Sequence, residues 1–280
     1  MRVTYIVFSG TGNTLRAANR SAEEIKSLGY EPTVLCLTPD LPPLEADGFD
    51  TLIVCYPIHA FNTPAPVLKY LRGLPDGNGK SAYLLRTSGE PSKLNYACGI
   101  TPKRILKKRG YDVLGEFTYV MPYNIIFRHS DKMAARMWTD AKKLIAADAK
   151  KIANGEKALH KVNALRRAAS FACRIEHTAM PIIGRRFKAT DKCVGCGLCA
   201  KACPQGNITL QDGGKPKFGK KCVGCMGCAF NCPTDAIKTF ILNGWRVNGQ
   251  YSFDGEPATD DEVCKYLHKM YIGYFHNAEE

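Results

Sequence analysis

The chain has 280 residues, 45% of them hydrophobic, and a formal net charge of +13. That length fits one or two domains, and the apolar share is ordinary for a globular protein. No secretory signal precedes the first strand-like run at 3–8. The longest uncharged run, 51–68, is interrupted by Pro57, Pro64 and Pro66 and by the polar His59 and Asn62, which excludes a membrane span. A cytoplasmic, reducing location is therefore expected.

The run 3–8 reads as a first strand and leads into Ser9-Gly10-Thr11-Gly12-Asn13-Thr14. Leu15, Ala18, Ala22, Ile25 and Leu28 then keep helical spacing until Gly29. A strand, a loop of small hydroxyl and glycine residues and a helix N-terminus make an anion cradle. Free backbone N–H groups and the helix dipole both favour negative charge there. The loop lacks the lysine of an NTP-hydrolysing P-loop, and the dinucleotide glycine fingerprint is absent. Further strands are predicted at 33–37, 51–56, 82–87 and within 111–120. Helices are predicted at 64–71, 102–108 and 131–153, the last with Ser130 as cap and Gly155 as stop. This alternation implies an α/β fold with a parallel sheet covered on both faces.

Residues 155–188 form a basic linker, and 141–190 hold twelve Lys/Arg against three Asp/Glu. The expected reading is a linker helix ended by Pro181, packed on the first half with a solvated basic face. Docking on an acidic partner or a membrane surface is the rival. No nucleic-acid-binding module accompanies the charge, so nucleic acid is not an expected partner.

Two copies of one cysteine pattern follow, 29 residues apart. The first is Cys193-Val-Gly-Cys196-Gly-Leu-Cys199-Ala-Lys-Ala-Cys203-Pro204. The second is Cys222-Val-Gly-Cys225-Met-Gly-Cys228-Ala-Phe-Asn-Cys232-Pro233. Both read C-x2-C-x2-C-x3-C-P, the run of bacterial ferredoxins with two [4Fe–4S] clusters, in which the fourth cysteine ligates the other cluster. Cluster I is thus assigned Cys193, Cys196, Cys199 and Cys232, and cluster II Cys222, Cys225, Cys228 and Cys203. Gly195, Gly197, Gly224 and Gly227 suit backbone that must turn tightly around a cluster. A zinc site prefers two separated ligand pairs, and a disulfide framework calls for a secreted protein. Of the remaining cysteines, Cys36 and Cys55 read as small core residues and Cys98 as an inert thiol. Residues 208–210 and 216–218 read as a hairpin around Asp212-Gly213-Gly214. The tail 243–280 carries a predicted helix at 260–274 and no assigned role.

The 9–14 motif resembles the FMN phosphate loop of the flavodoxin family, a resemblance that covers about residues 1–154. The whole chain resembles the fused flavodoxin–ferredoxin proteins of anaerobic bacteria, in the same order. The resemblance implies a flavodoxin-like five-stranded parallel sheet of order 2-1-3-4-5, with FMN at the switch point between strands 1 and 3. A C-terminal α+β dicluster ferredoxin domain at 189–242 would follow. Two loops around the flavin ring are also implied: Tyr56-Pro57-Ile58-His59-Ala60-Phe61-Asn62 and Thr87-Ser88-Gly89-Glu90. Tyr56, His59, Phe61, Tyr96 and Tyr123 are the candidates to stack on the ring. Flavodoxins are typically acidic and this half is not, so their usual partners do not transfer.

A flavin exchanges one or two electrons and each cluster exchanges one. The expected function is electron relay between FMN and the two clusters, with other redox proteins or a small acceptor as partners. The alternatives are an FMN-dependent reductase of a small organic acceptor such as a quinone, fed by the clusters, and a redox sensor docking through its linker.

Overall fold

The computed structural model describes residues 1–278. Strands Arg2–Val7 (β1), Glu31–Cys36 (β2), Thr51–Pro57 (β3), Ser81–Ser88 (β4) and Asp112–Val120 (β5) form one sheet of order β2-β1-β3-β4-β5. Every neighbouring pair is parallel. β1, β3 and β4 are buried along almost their whole length, as apolar central strands covered on both faces must be. β2 is an edge strand and alternates in exposure. It begins two residues before the predicted start and tolerates Pro32, because an edge strand can spare one N–H donor. Its open end leaves Cys36 exposed, contrary to the core placement expected for it, while Cys55 in β3 is fully buried.

Helices Asn13–Ser27 (α1) and Asp131–Ala153 (α4) cover one face of the sheet. The small Ala17, Ala18, Ala134 and Ala141 let them approach it closely. Ala65–Arg72 (α2) and Ile100–Lys108 (α3) cover the other face through Val67, Leu71, Ile105 and Leu106. Ser130 caps α4 as predicted, accepting from the Met133 N–H at 3.1 Å.

Within that second core lies a fully buried ion pair. Arg86 Nη1 of β4 meets Glu116 Oε2 of β5 at 3.0 Å, with neither side chain exposed. Lys103 and the His160 N–H both donate to the other oxygen, Oε1. Gly99 has to be glycine, since a Cβ there would lie 2.2 Å from Oε2.

The linker closes the β5 edge. Ala158 donates to Leu114 and accepts from Glu116 at 2.8 and 2.9 Å, so 158 runs parallel to β5 and covers an edge that would otherwise be open. Two helices follow, Ala164–Ala172 (α5) and Ile175–Gly184 (α6). The linker thus packs on the sheet unit as expected, but Pro181 lies inside α6 rather than ending it. The last turn is held by packing: Gly184 sits where a Cβ would meet Cys222 at 2.2 Å, and Met180 packs on Gly224.

The cysteine-rich unit is small. Lys188–Ala189 (β6) pairs antiparallel with Ile237–Lys238 (β9). Ile208–Leu210 (β7) and Pro216–Phe218 (β8) form the predicted hairpin. Leu198–Lys201 (α7) and Gly227–Phe230 (α8) carry the third cysteine of each repeat, Cys199 and Cys228. The tail then returns to the first unit. Val247, Tyr251 and Phe253 join the core of α1 and α4. Helix His268–Asn277 (α9) packs Tyr271 and Phe275 on Val120, Met133 and Met137. The single helix predicted at 260–274 is broken. A capping box between Thr259 and Glu262 closes a short turn, and α9 restarts after Leu267 in a left-handed conformation, φ 53°.

Breaking a buried pair strands one charge in a low-dielectric core. Arg86→Met is expected to lower unfolding free energy by about 3–5 kcal/mol, and Arg86→Met/Glu116→Leu to recover much of that loss. Denaturant titration of the three proteins checks this; equal stabilities would show that the pair is inert.

Candidate functional site

The residues singled out at 9–14 gather at the C-terminal edge of β1. Gly12 takes φ 96° and offers no capping side chain to α1, whose first turn holds no acidic residue; Ser9 Oγ accepts from the Leu15 N–H at 3.4 Å. A helix N-terminus without an acid suits an anion. Ser9, Gly10, Thr11, Asn13 and Thr14 line a recess of about 40 Å³. The loop is fixed from behind: Thr14 and Thr87 share a hydroxyl contact at 2.7 Å, and Asn13 Nδ2 donates to Pro122 O at 2.8 Å.

That recess adjoins a cavity of about 380 Å³, within the usual size range of small-ligand sites, about 300–1,000 Å³. Pro57, His59, Ser88, Tyr123 and Asn124 line both. Ile58, Ala60, Phe61 and Glu90 line the larger one, as the sequence suggests. Ala60 and Phe61 form a tight turn with φ of 40° and 60°, closed by reciprocal His59–Asn62 backbone hydrogen bonds. Non-glycine residues rarely adopt such angles, and their local strain is held by the surroundings. Asn62 does that holding: it stays outside the cavity, donating to Ala60 O and Ser170 O and accepting from the Ser170 hydroxyl. Together the helix end and the mostly apolar cavity suit a ligand with a phosphate at one end and a ring at the other.

Three sequence candidates lie elsewhere. Tyr56 is fully buried in the core with Phe8 and Leu84 and lines neither cavity. Tyr96 stacks on His160, centroids 3.9 Å apart, which commits it to the linker. Gly89 is overlaid by Tyr123, with a hypothetical Cβ only 2.1 Å from that ring, and its carbonyl accepts from Tyr271. Cys98 lies buried, accepting from Arg86 Nη1 at 3.4 Å, and burial holds its thiol above the usual range.

Two pairs of ionisable side chains face the cavity. Tyr123 donates to Glu90 Oε2 at 2.6 Å, and burial followed by that bond holds its phenol well above the usual range. His59 Nδ1 stands 3.8 Å from Glu176 Oε1 of α6. Burial pushes His59 down to about 4, helped by neighbouring His177, and pushes Glu176 up to about 7. Desolvation outweighs attraction in this pair, so at neutral pH the imidazole is uncharged despite the ion-pair distance.

The cysteines occupy two unlike settings. Cys203, Cys222, Cys225 and Cys228 interact as one group, each of the last three raised by charge on others of the set. Burial is the larger cause, pushing Cys225 up to about 12. Cys199 is similarly coupled to Cys193 and Cys196, and Cys196 is exposed. The fourth cysteines are matched: Asn207 N–H donates to Cys203 Sγ at 3.4 Å, and Ala236 N–H to Cys232 Sγ at 3.2 Å. Among the described residues, no group of three or more His, Cys, Asp or Glu is gathered tightly enough for a single metal ion. Thiolates on a cubane stand apart, because each binds its own iron.

The second cysteine loop presses on the anion loop. A Cβ on Gly10 would meet Cys225 Cβ at 2.6 Å, and one on Gly227 would meet Gly10 O at 2.4 Å. Asn124 Nδ2 spans the junction, donating to Thr11 Oγ1 and Cys225 O at 3.3 and 3.2 Å. The two repeats differ at this point. The first has Gly197 in the left-handed position followed by exposed Leu198, whereas the second has Met226, φ 59°, followed by buried Gly227. Sequence reasoning missed Asn95, Asn124, Glu176, Met180 and Trp245, all of which line the larger cavity. Only Asn124 had a signal, since it follows β5 at the same sheet edge as the other loops.

Raised, Glu176 contributes stability that is present below about 4.5 and lost as pH rises through about 7. Lowered, His59 contributes stability present above 6.5 and lost as pH falls through about 4. Glu176→Gln should therefore gain in thermal midpoint over the wild type between about pH 4.5 and 7, with a constant gap above. A gap independent of pH in thermal melts would refute the burial argument.

Residues 172–237 match the 4Fe–4S dicluster domain family. A search of curated proteins finds no match. Among solved structures, a flavodoxin of Streptococcus pneumoniae TIGR4 is 17% identical over 55% of this chain and 99% of its own, TM-score 0.41. The two-electron reduced flavodoxin of Megasphaera elsdenii is 22% identical over 53% and 98%, TM-score 0.37. A quinone reductase candidate of Klebsiella pneumoniae is 17% identical over 56% and 86%, TM-score 0.39. No helix among the described residues is long and apolar enough to cross a membrane. The chain thus joins a region matching the 4Fe–4S dicluster domain family to a parallel sheet of flavodoxin order, and these two parts support a role in redox electron transfer.

Proposed function

We propose that the chain relays electrons between FMN and two [4Fe–4S] clusters. The observation that carries this reading is the backbone-level contact of Gly10 with Cys225 and Gly227. Loop 9–14 and the α1 N-terminus would hold the phosphate, and the cavity walled by His59, Phe61, Tyr123 and Trp245 would hold the ring. Cys222, Cys225, Cys228 and Cys203 would hold cluster II, and Cys193, Cys196, Cys199 and Cys232 cluster I. Bound FMN supplies exchange of one or two electrons, and each cluster exchange of one.

This chain's own residues define the route. Half-buried Cys225 lines the anion recess, while Cys196 is exposed to solvent with Val194 and Leu198 exposed beside it. Cluster II would therefore face the flavin and cluster I an external redox partner. Glu176, Met180 and Trp245 close over the ring cavity from linker and tail, which favours a relay over reduction of a bulky acceptor.

Gly227→Leu puts the first repeat's residue against Gly10 O. In anaerobic rapid mixing with a reduced viologen, equilibration between flavin and clusters should slow by at least about tenfold, since misplacement near 1 Å has large rate effects. Flavin and iron content should be retained; Gly227→Ala serves as a milder second variant. Equilibration at the wild-type rate in both, or only at rates that scale with protein concentration, would sink the relay.

A further inference from the structure

Helices α5 and α6 are inside out. Their stripe facing the body holds Ser170 on Asn62, Glu176 on His59, Met180 on Gly224 and Gly184 on Cys222. Those positions recur at helical spacing, so the opposite stripe faces solvent. It carries Leu165, Phe171, Ile175 and Ile182, exposed by 70, 71, 73 and 61%. A surface helix ordinarily turns its apolar stripe inward.

The charge on this face has one sign. Residues 157–190 hold eight Lys/Arg and a single acid, Glu176, which points inward to His59. Arg174 lies over the Phe171 ring at 5.7 Å and Arg186 over Phe240 at 5.0 Å. The second contact brings exposed Phe240, and next to it Ile241, beside the end of α6. We propose that this face docks on an anionic lipid bilayer. The four protruding side chains line none of the cavities described above, so they offer no socket for a partner's knobs. A fluid bilayer closes around isolated apolar side chains, while arginines at their flanks meet anionic headgroups. Docking would place the ring cavity about one helix diameter (10 Å) from the bilayer surface, because the other side of α6 walls it through Glu176 and Met180.

Co-sedimentation of the full-length holoprotein with lipid vesicles tests this. Binding is expected to vesicles containing about 30% phosphatidylglycerol in phosphatidylcholine, to weaken as salt rises, and to be slight with phosphatidylcholine alone. Phe171→Ser/Ile175→Ser and Arg174→Glu/Arg185→Glu should each weaken it by at least about tenfold, with flavin and cluster absorbance unchanged. Absence of binding to the anionic vesicles overturns the proposal. So does binding that neither variant weakens, and so does binding to soluble polyglutamate without binding to vesicles, which would assign the face to an acidic protein.

Discussion

Backbone meeting backbone at Gly10 and Gly227 is the constraint on which the arrangement of this molecule depends. With a hypothetical Cβ at either residue inside 3 Å of the other loop, neither position has room for a side chain. Such a contact gives little apolar burial of its own, so other parts of the chain must hold it closed. Asn124 does so locally by bonding both loops. The linker and the tail do so globally.

The linker runs along β5, turns through α5 and α6, and delivers Gly184 and Met180 to the second cysteine loop. The tail leaves the cysteine-rich unit and binds back to the sheet unit. Tyr251 donates to Tyr123 O, Val120 N–H donates to Tyr274, and Tyr271 reaches Gly89 O. Two chain crossings thus clamp one small interface, and both touch the loops that wall the larger cavity. The cysteine-rich unit is too small to hold a fixed pose by its own core. Its position is set by being tethered at both ends.

Much of this was legible from local chemistry. The order of strands and helices followed from alternating apolar runs, and the dicluster domain from the cysteine spacing. The elements misread are those where tertiary contact overrides a local rule. Pro181 should stop a helix, yet Met180 and Gly184 are packed on the cysteine loop and carry the helix on. Tyr56 ends a predicted strand and opens the loop expected around the ring, yet the pleat of β3 turns it into the core. Tyr96 looked available to a ring until His160, 64 residues later, stacked on it. Glu176 and Trp245 had no signal at all, because their place at the cavity depends on where linker and tail return.

The transposition of Gly197-Leu198 into Met226-Gly227 carries a wider meaning. Two repeats with one cysteine spacing would be interchangeable halves if nothing else distinguished them. Exchanging the order of a small and a large residue makes one repeat flat where the other is bulky. The flat repeat can be seated against the sheet unit, and the bulky one is left as the free face. A near-symmetric duplication thereby acquires polarity, a near and a far terminal, from two adjacent positions rather than from any change in its ligands.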